Sequence, residues 1–131
     1  MTAAHIDGSV LIVEDDEPLR RVLARQLRAS GLTVSEAGSA EEAATALLNG
    51  LRPDLVLLDV NLPGETGWDF LRGSTLAAAG DPPVVITSAT AVSPKRLAEF
   101  HVAGYLPKPC PTDTILDTVE RLVRPGAAAD R

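Results

Sequence analysis

The sequence holds a single cysteine, Cys110, among 131 residues. One thiol cannot close an internal disulfide, and so low a count fits a reducing compartment. Aromatic residues are nearly as scarce, at 3%, so Val, Leu, Ile and Ala must fill the core. Positive charge is in deficit: 12 Lys and Arg stand against 18 Asp and Glu, for a net charge of −6. Such a chain has no general attraction for nucleic acid or an anionic membrane surface, and direct nucleic-acid binding is not expected. No apolar run reaches the ~18 residues that a membrane helix needs. The opening MTAAHIDG lacks the basic start and apolar stretch of a secretory leader. The protein therefore reads as cytoplasmic. The two histidines, His5 and His101, have no metal-ligand partners near them in sequence and read as surface or internally satisfied residues.

What is present is an alternation of apolar β-branched runs with segments of helical period. Ser9–Val13 reads as a buried strand, and Glu17–Ser30 as a helix with Leu19, Val22, Leu23 and Leu27 inward. Pro18 suits that helix's first turn, and Gly31 suits the residue just past its end. Leu32–Ala37 is a more polar strand, predicted near an edge. Ser39, Glu41 and Glu42 form a capping signature that opens a helix with Ala40, Ala43, Ala44, Leu47 and Leu48 on one face, ending at Asn49-Gly50. Asp54–Leu58 has the continuous apolar character of a central parallel strand. A loop with Pro63, Gly64 and Gly67 leads to a predicted helix over Trp68–Ala79, weakened at Gly73. Pro83–Thr87 is a fourth strand, Ser93–Phe100 a short helix, Tyr105–Leu106 a short fifth strand and Pro111–Arg124 a last helix, with Ile115, Leu116, Val119, Leu122 and Val123 inward.

Five strand-then-helix units predict an α/β protein: one doubly wound parallel sheet with helices on both faces and right-handed crossovers. Residues 9–124 form that domain. Residues 1–8 are expected to be an N-terminal extension and 125–131 a flexible tail.

In such folds ligands sit outside the carboxyl ends of the strands. The residues there are Glu14-Asp15-Asp16, Asp59, Thr87-Ser88 and Lys108. Glu14, Asp15 and Asp59 would crowd negative charge into one crevice, which a hard divalent cation such as Mg²⁺ and the Lys108 ammonium can compensate. A strand-end carboxylate beside a metal is a plausible nucleophile toward phosphorus. Phosphoryl transfer mainly needs positioning and charge neutralisation, for which the metal, Lys108 and the Ser88 hydroxyl are candidates.

At these strand ends stand VLIVEDDEPLR, DLVLLDVNLPG, VVITSA and GYLPKP, in that order. The set resembles the motifs of response-regulator receiver domains of two-component signalling, over roughly Ser9 to Arg124. The resemblance implies a flavodoxin-like (βα)5 fold with strand order 2-1-3-4-5. It implies Asp59 as phosphoacceptor, Asp15 as direct ligand of Mg²⁺ (or Mn²⁺), Glu14 acting through a metal-bound water, and Asn61 offering its backbone carbonyl. Ser88 and Lys108 would contact phosphoryl oxygens, and Ser88 with Tyr105 would form the switch. The Lys108–Pro109 peptide would be cis. Strand alternation turns Thr87 away and favours Ser88 over it. The implied partners are a sensor histidine kinase or histidine phosphotransfer protein and a downstream protein target, with the domain a monomer or a phosphorylation-dependent dimer. The arginines Arg20, Arg21, Arg25 and Arg28 read first as a solvated helix face, with kinase docking as the functional alternative.

Two departures stand out. The segment between Ser88 and Lys108 is about two residues shorter than in the family pattern, which predicts a stunted or displaced fourth helix. Cys110, read as a small packing residue, replaces a common Phe and is followed by an added Pro111. Two rival readings share the fold: a pseudo-receiver that binds protein without phosphate, and an aspartate-nucleophile phosphatase. The second lacks an acid at Asn61, where such enzymes carry one. A flavin binder is disfavoured because acids replace a phosphate loop after the first strand.

Overall fold

Val10–Val13, Leu55–Leu58 and Val84–Ile86 are runs in which every residue is buried. That is the pattern of central strands covered on both faces. The computed structural model describes residues 8–123. The helix end at Arg124, the extension before Gly8 and the tail at 125–131 lie outside the described residues.

The strands are β1 (Ser9–Val13), β2 (Thr33–Ala37), β3 (Leu55–Asp59), β4 (Val84–Ser88) and β5 (Gly104–Pro107). They form one sheet in the order β2-β1-β3-β4-β5, and every neighbouring pair is parallel. This is the doubly wound, flavodoxin-like arrangement expected from the sequence, with the more polar β2 at an edge.

The helices are α1 (Glu17–Ala29), α2 (Ala40–Leu48), α3 (Gly67–Arg72), α4 (Thr75–Ala78), α5 (Pro94–Glu99) and α6 (Thr112–Val123). Alternation along the strands divides the core in two. Leu11, Val13, Val56, Leu58 and Ile86 pack with Ala43, Leu47, Phe70 and Leu76 of α2 to α4. Val10, Ile12, Leu55, Leu57 and Val85 pack with Leu23, Leu27, Ile115 and Val119 of α1 and α6. Each fully buried Leu or Ile side chain contributes about 1.5–3 kcal/mol.

Helix starts follow local chemistry. Asp16 accepts a hydrogen bond from the Leu19 amide, Ser39 from that of Glu42, and Ser93 from that of Arg96. Thr66 and Asp69 form a reciprocal capping box on α3.

Three expectations change. The predicted helix over Trp68–Ala79 is two helices, because Gly73 leaves helical geometry (ψ −178°) while its N–H still closes on Asp69 and Phe70 carbonyls. Val22 and Leu48 point outward, at 44% and 69% exposure. Their neighbours Leu23, Ala24 and Leu47 fill the inward stripe instead. β3 and β4 each start and end one residue later than the apolar runs Asp54–Leu58 and Pro83–Thr87, and Asp59 and Ser88 are their last residues. The stunted fourth helix is α5, six residues long with none buried. Trp68 is a packing residue, 5.2 Å from the Phe100 ring, with the Arg96 guanidinium 4.9 Å above its own ring.

Candidate functional site

The acids after β1 divide their work. Glu14 is buried, at 4% exposure, and its carboxylate accepts from Lys108 Nζ at 2.8 Å and from the Asp16 amide at 3.2 Å. Asp15 projects to the exposed side. Asp16 is spent on capping α1.

Asp59, at 3% exposure, ends β3 beside β1 and β4. One carboxylate oxygen accepts from Lys108 Nζ at 3.0 Å, the other from the Asn61 amide at 2.9 Å. Lys108 thus holds two buried carboxylates that lie 94 and 49 residues away in sequence. It stands just past β5, where the Lys108–Pro109 peptide is cis and the Lys108 amide is tied to the Ser88 carbonyl at 2.8 Å.

Burial pushes the Glu14 carboxyl above its ordinary pKa of 4.5, against the hydrogen bonds from Lys108 and Asp16 that favour the anion. Burial alone would lower the pKa of Lys108. The hydrogen bonds to Glu14 and Asp59 outweigh it and carry the ammonium above its ordinary 10.5.

Glu14, Asp15 and Asp59 offer carboxylate oxygens that all lie within 4.8 Å of one another. A hard oxygen donor set of this kind suits Mg²⁺ or Mn²⁺ and not a thiophilic metal. The residues present therefore fit the cation that the sequence implied.

Ser88 lies deeper, at 1% exposure. Its hydroxyl is 3.0 Å from the Asn61 side-chain oxygen, 2.8 Å from the Thr90 carbonyl and 3.0 Å from the Thr90 hydroxyl. The Asn61 oxygen also accepts from the Ala89 amide at 3.0 Å. Tyr105 is half-buried against the α2–α4 side of the core, and its hydroxyl reaches the Thr90 carbonyl at 3.5 Å. Thr87 pairs with Asp59 in register and faces the α1 and α6 side. So Glu14, Asp15, Asp59 and Lys108 are brought together, while Ser88, Asn61 and Tyr105 meet around Thr90.

Three contributors escaped the sequence reading. Thr90 is one, and its only signal in the sequence is a hydroxyl two residues past Ser88. Arg20 is not part of a solvated face: its side chain is 15% exposed, against 68% for Arg21. It donates to the Glu14 carbonyl at 2.9 Å and to Glu36 at 3.2 Å, bracing the end of β1. Gly67 is pressed against β3's end, where a Cβ would stand 2.6 Å from Val60 Cα and 2.8 Å from the Asp59 carbonyl oxygen. Cys110 is half-buried on the α1 and α6 side, as a packing residue should be, and its burial raises the thiol pKa.

Residues 10–120 match the response regulator receiver domain family. The response regulator MprA of Mycobacterium sp. (strain KMS) is 35% identical over 119 residues, which is 88% of this chain and 50% of that protein. The positive alginate biosynthesis regulatory protein of Pseudomonas aeruginosa is 36% identical over 123 residues, 90% of this chain and 48% of its own length. The chain thus spans about half the length of these relatives. Among solved structures, the non-phosphorylated HemR receiver domain of Leptospira biflexa superposes with a TM-score of 0.75 at 32% identity, covering 88% of this chain and 94% of that one.

Fold and acidic crevice together define a two-component signalling domain. The chain belongs to the response regulator receiver domain family. Among the described residues, no helix is long and apolar enough to cross a membrane.

Proposed function

We propose that this chain is a phosphorylation switch in which Asp59 accepts a phosphoryl group from the phosphohistidine of a sensor kinase or histidine phosphotransfer protein. The observation that carries this reading is the Lys108 ammonium bridging Asp59 and Glu14 within a three-carboxylate cluster. An Asp59 carboxylate oxygen attacks phosphorus, the bond from phosphorus to the donor imidazole nitrogen breaks, and the freed imidazole takes up a proton. Glu14, Asp15, Asp59 and the Asn61 carbonyl would hold Mg²⁺ or Mn²⁺, which when bound neutralises charge on the transferred group. Lys108 is placed to exchange a carboxylate partner for a phosphoryl oxygen.

The transferred group adds about −1.5 to −2 charge. Ser88, hydrogen-bonded to Asn61 and Thr90, would turn to a phosphoryl oxygen and release the Thr90 carbonyl. Tyr105, whose hydroxyl reaches that same carbonyl, would follow inward. The altered face of α5, β5 and α6 then engages a downstream protein or a second copy of the chain. Hydrolysis of the acyl phosphate resets the switch, so the domain is a phosphoacceptor and not an enzyme acting on an outside substrate.

The test is phosphorylation by acetyl phosphate with Mg²⁺, read as a mass gain of one phosphoryl group on intact protein. Wild type should gain it, and Asp59→Asn and metal-free protein should not. Labelling of Asp59→Asn at the wild-type level would refute the assignment, and steady turnover of a small phosphate ester would favour the phosphatase reading.

A further inference from the structure

A second feature lies under the same lysine, on the α1 and α6 side of the sheet. It is a cavity of about 350 Å³ lined by Leu19, Leu23, Leu57, Ile115 and Cys110, with Thr87 on its wall and Glu14, Asp16 and Lys108 at its polar end. Its size falls within the range of about 300–1,000 Å³ found for small-molecule sites, and apolar walls with a few convergent polar groups are their usual lining.

Thr87 makes the cavity more than a packing gap. The residue is only 6% exposed and stands on the cavity wall. The β3–β4 register puts Thr87 beside Asp59, and strand alternation turns it away from the Ser88 network toward this cavity. Cys110, a small side chain at the start of the segment leading into α6, leaves the space open.

We propose that this cavity is a binding site for a small aromatic cation: a ring that fills the apolar walls and carries an ammonium or amidinium group. The charge follows from the polar end. Glu14 and Asp16 stand there with Lys108, whose ammonium is already shared between Glu14 and Asp59. Asp15 and Asp59 add further negative charge nearby. An anion would meet net repulsion, and a cation attraction. The N–H groups of the ligand would find acceptors in the Thr87 hydroxyl and the Asp16 carboxylate. The site does not depend on phosphoryl transfer, so its test stands apart from that of Asp59.

Benzylamine is the probe, titrated at millimolar concentration into ¹⁵N-labelled full chain, with phenylacetate as an anionic counterpart of similar shape. Benzylamine should shift the amides of Ile12, Leu23, Leu57, Thr87 and Cys110, and phenylacetate should bind at least several-fold more weakly. Cys110→Phe should fill the cavity and abolish the shifts. Cys110→Leu, a milder filling change, serves the same purpose should the larger ring disturb the fold. Thr87→Val keeps the shape and removes the acceptor, and should weaken binding about fivefold. No shift at the cavity amides, shifts that survive cavity filling in a well-dispersed spectrum, or tighter binding of phenylacetate would each overturn the proposal.

Discussion

Lys108 and Asp59, 49 residues apart in sequence, are joined by a 3.0 Å hydrogen bond at the carboxyl edge of the sheet. The same ammonium holds Glu14, so one cation compensates two buried anions. Removing it leaves those anions facing each other in a site largely shielded from water. Lys108→Met should lower stability by about 1–3 kcal/mol, measured by urea denaturation without divalent ions. A variant as stable as wild type would show that water already screens the pair.

Divalent cation should act in the opposite sense. The oxygens of Glu14, Asp15 and Asp59 lie close enough to share one ion. Mg²⁺ that binds only the folded state should raise stability by about 2.7 kcal/mol at a hundred times its Kd, and EDTA should reverse the gain. Asp15→Asn removes one donor from the exposed side of the cluster and should weaken Mg²⁺ affinity about tenfold or more. Isothermal titration calorimetry on both proteins decides the matter.

The pH dependence follows from the raised pKa of Glu14. Burial lifts it above 4.5, so the folded state binds this proton more tightly than the unfolded one. The associated stability is whole below 4.5 and is lost as pH rises through the folded-state value. Glu14→Gln cannot ionise. In metal-free protein it should exceed wild type in urea midpoint at about pH 8, and the gap should narrow toward about pH 4. Lys108 also has a raised pKa. Its contribution is whole below 10.5 and declines only as pH rises through its folded value, so it leaves the acidic window untouched.

Gly67 offers a test of how closely the α3 start packs on the site. A Cβ there would meet Val60 Cα at 2.6 Å and the Asp59 carbonyl oxygen at 2.8 Å. Both are backbone atoms, which cannot swing aside as a flexible side chain can. Gly67→Ala should therefore cost about 1–3 kcal/mol and shift the Asp59 and Val60 amides in an NMR spectrum. The same substitution at Gly73, whose nearest neighbour would be the Phe70 carbonyl oxygen at 3.6 Å, should be tolerated far better.

Much of this was legible in the chain itself. Buried strands announce themselves as apolar runs, and parallel sheets carry their ligands at one edge. That was enough to bring Glu14, Asp15, Asp59 and Lys108 into view as one cluster. Helix caps such as Asp16 and Ser39 are local chemistry, and local chemistry is written in neighbouring residues. The division of Glu14-Asp15-Asp16 into a lysine partner, an exposed donor and a helix cap was not legible, because three adjacent acids differ only in where the backbone turns them.

The sequence by itself determined the class of fold, the order of elements and the acidic crevice, since apolar periodicity and strand-end residues follow from spacing along the chain. Only the tertiary structure decided that Arg20 braces the Glu14 carbonyl, that Thr90 gathers Ser88, Asn61 and Tyr105, that Gly67 presses on Asp59, and that a cavity opens between α1 and α6. Each of these depends on distances across elements that are remote in sequence, set by how helices of particular length and side-chain volume settle on the sheet.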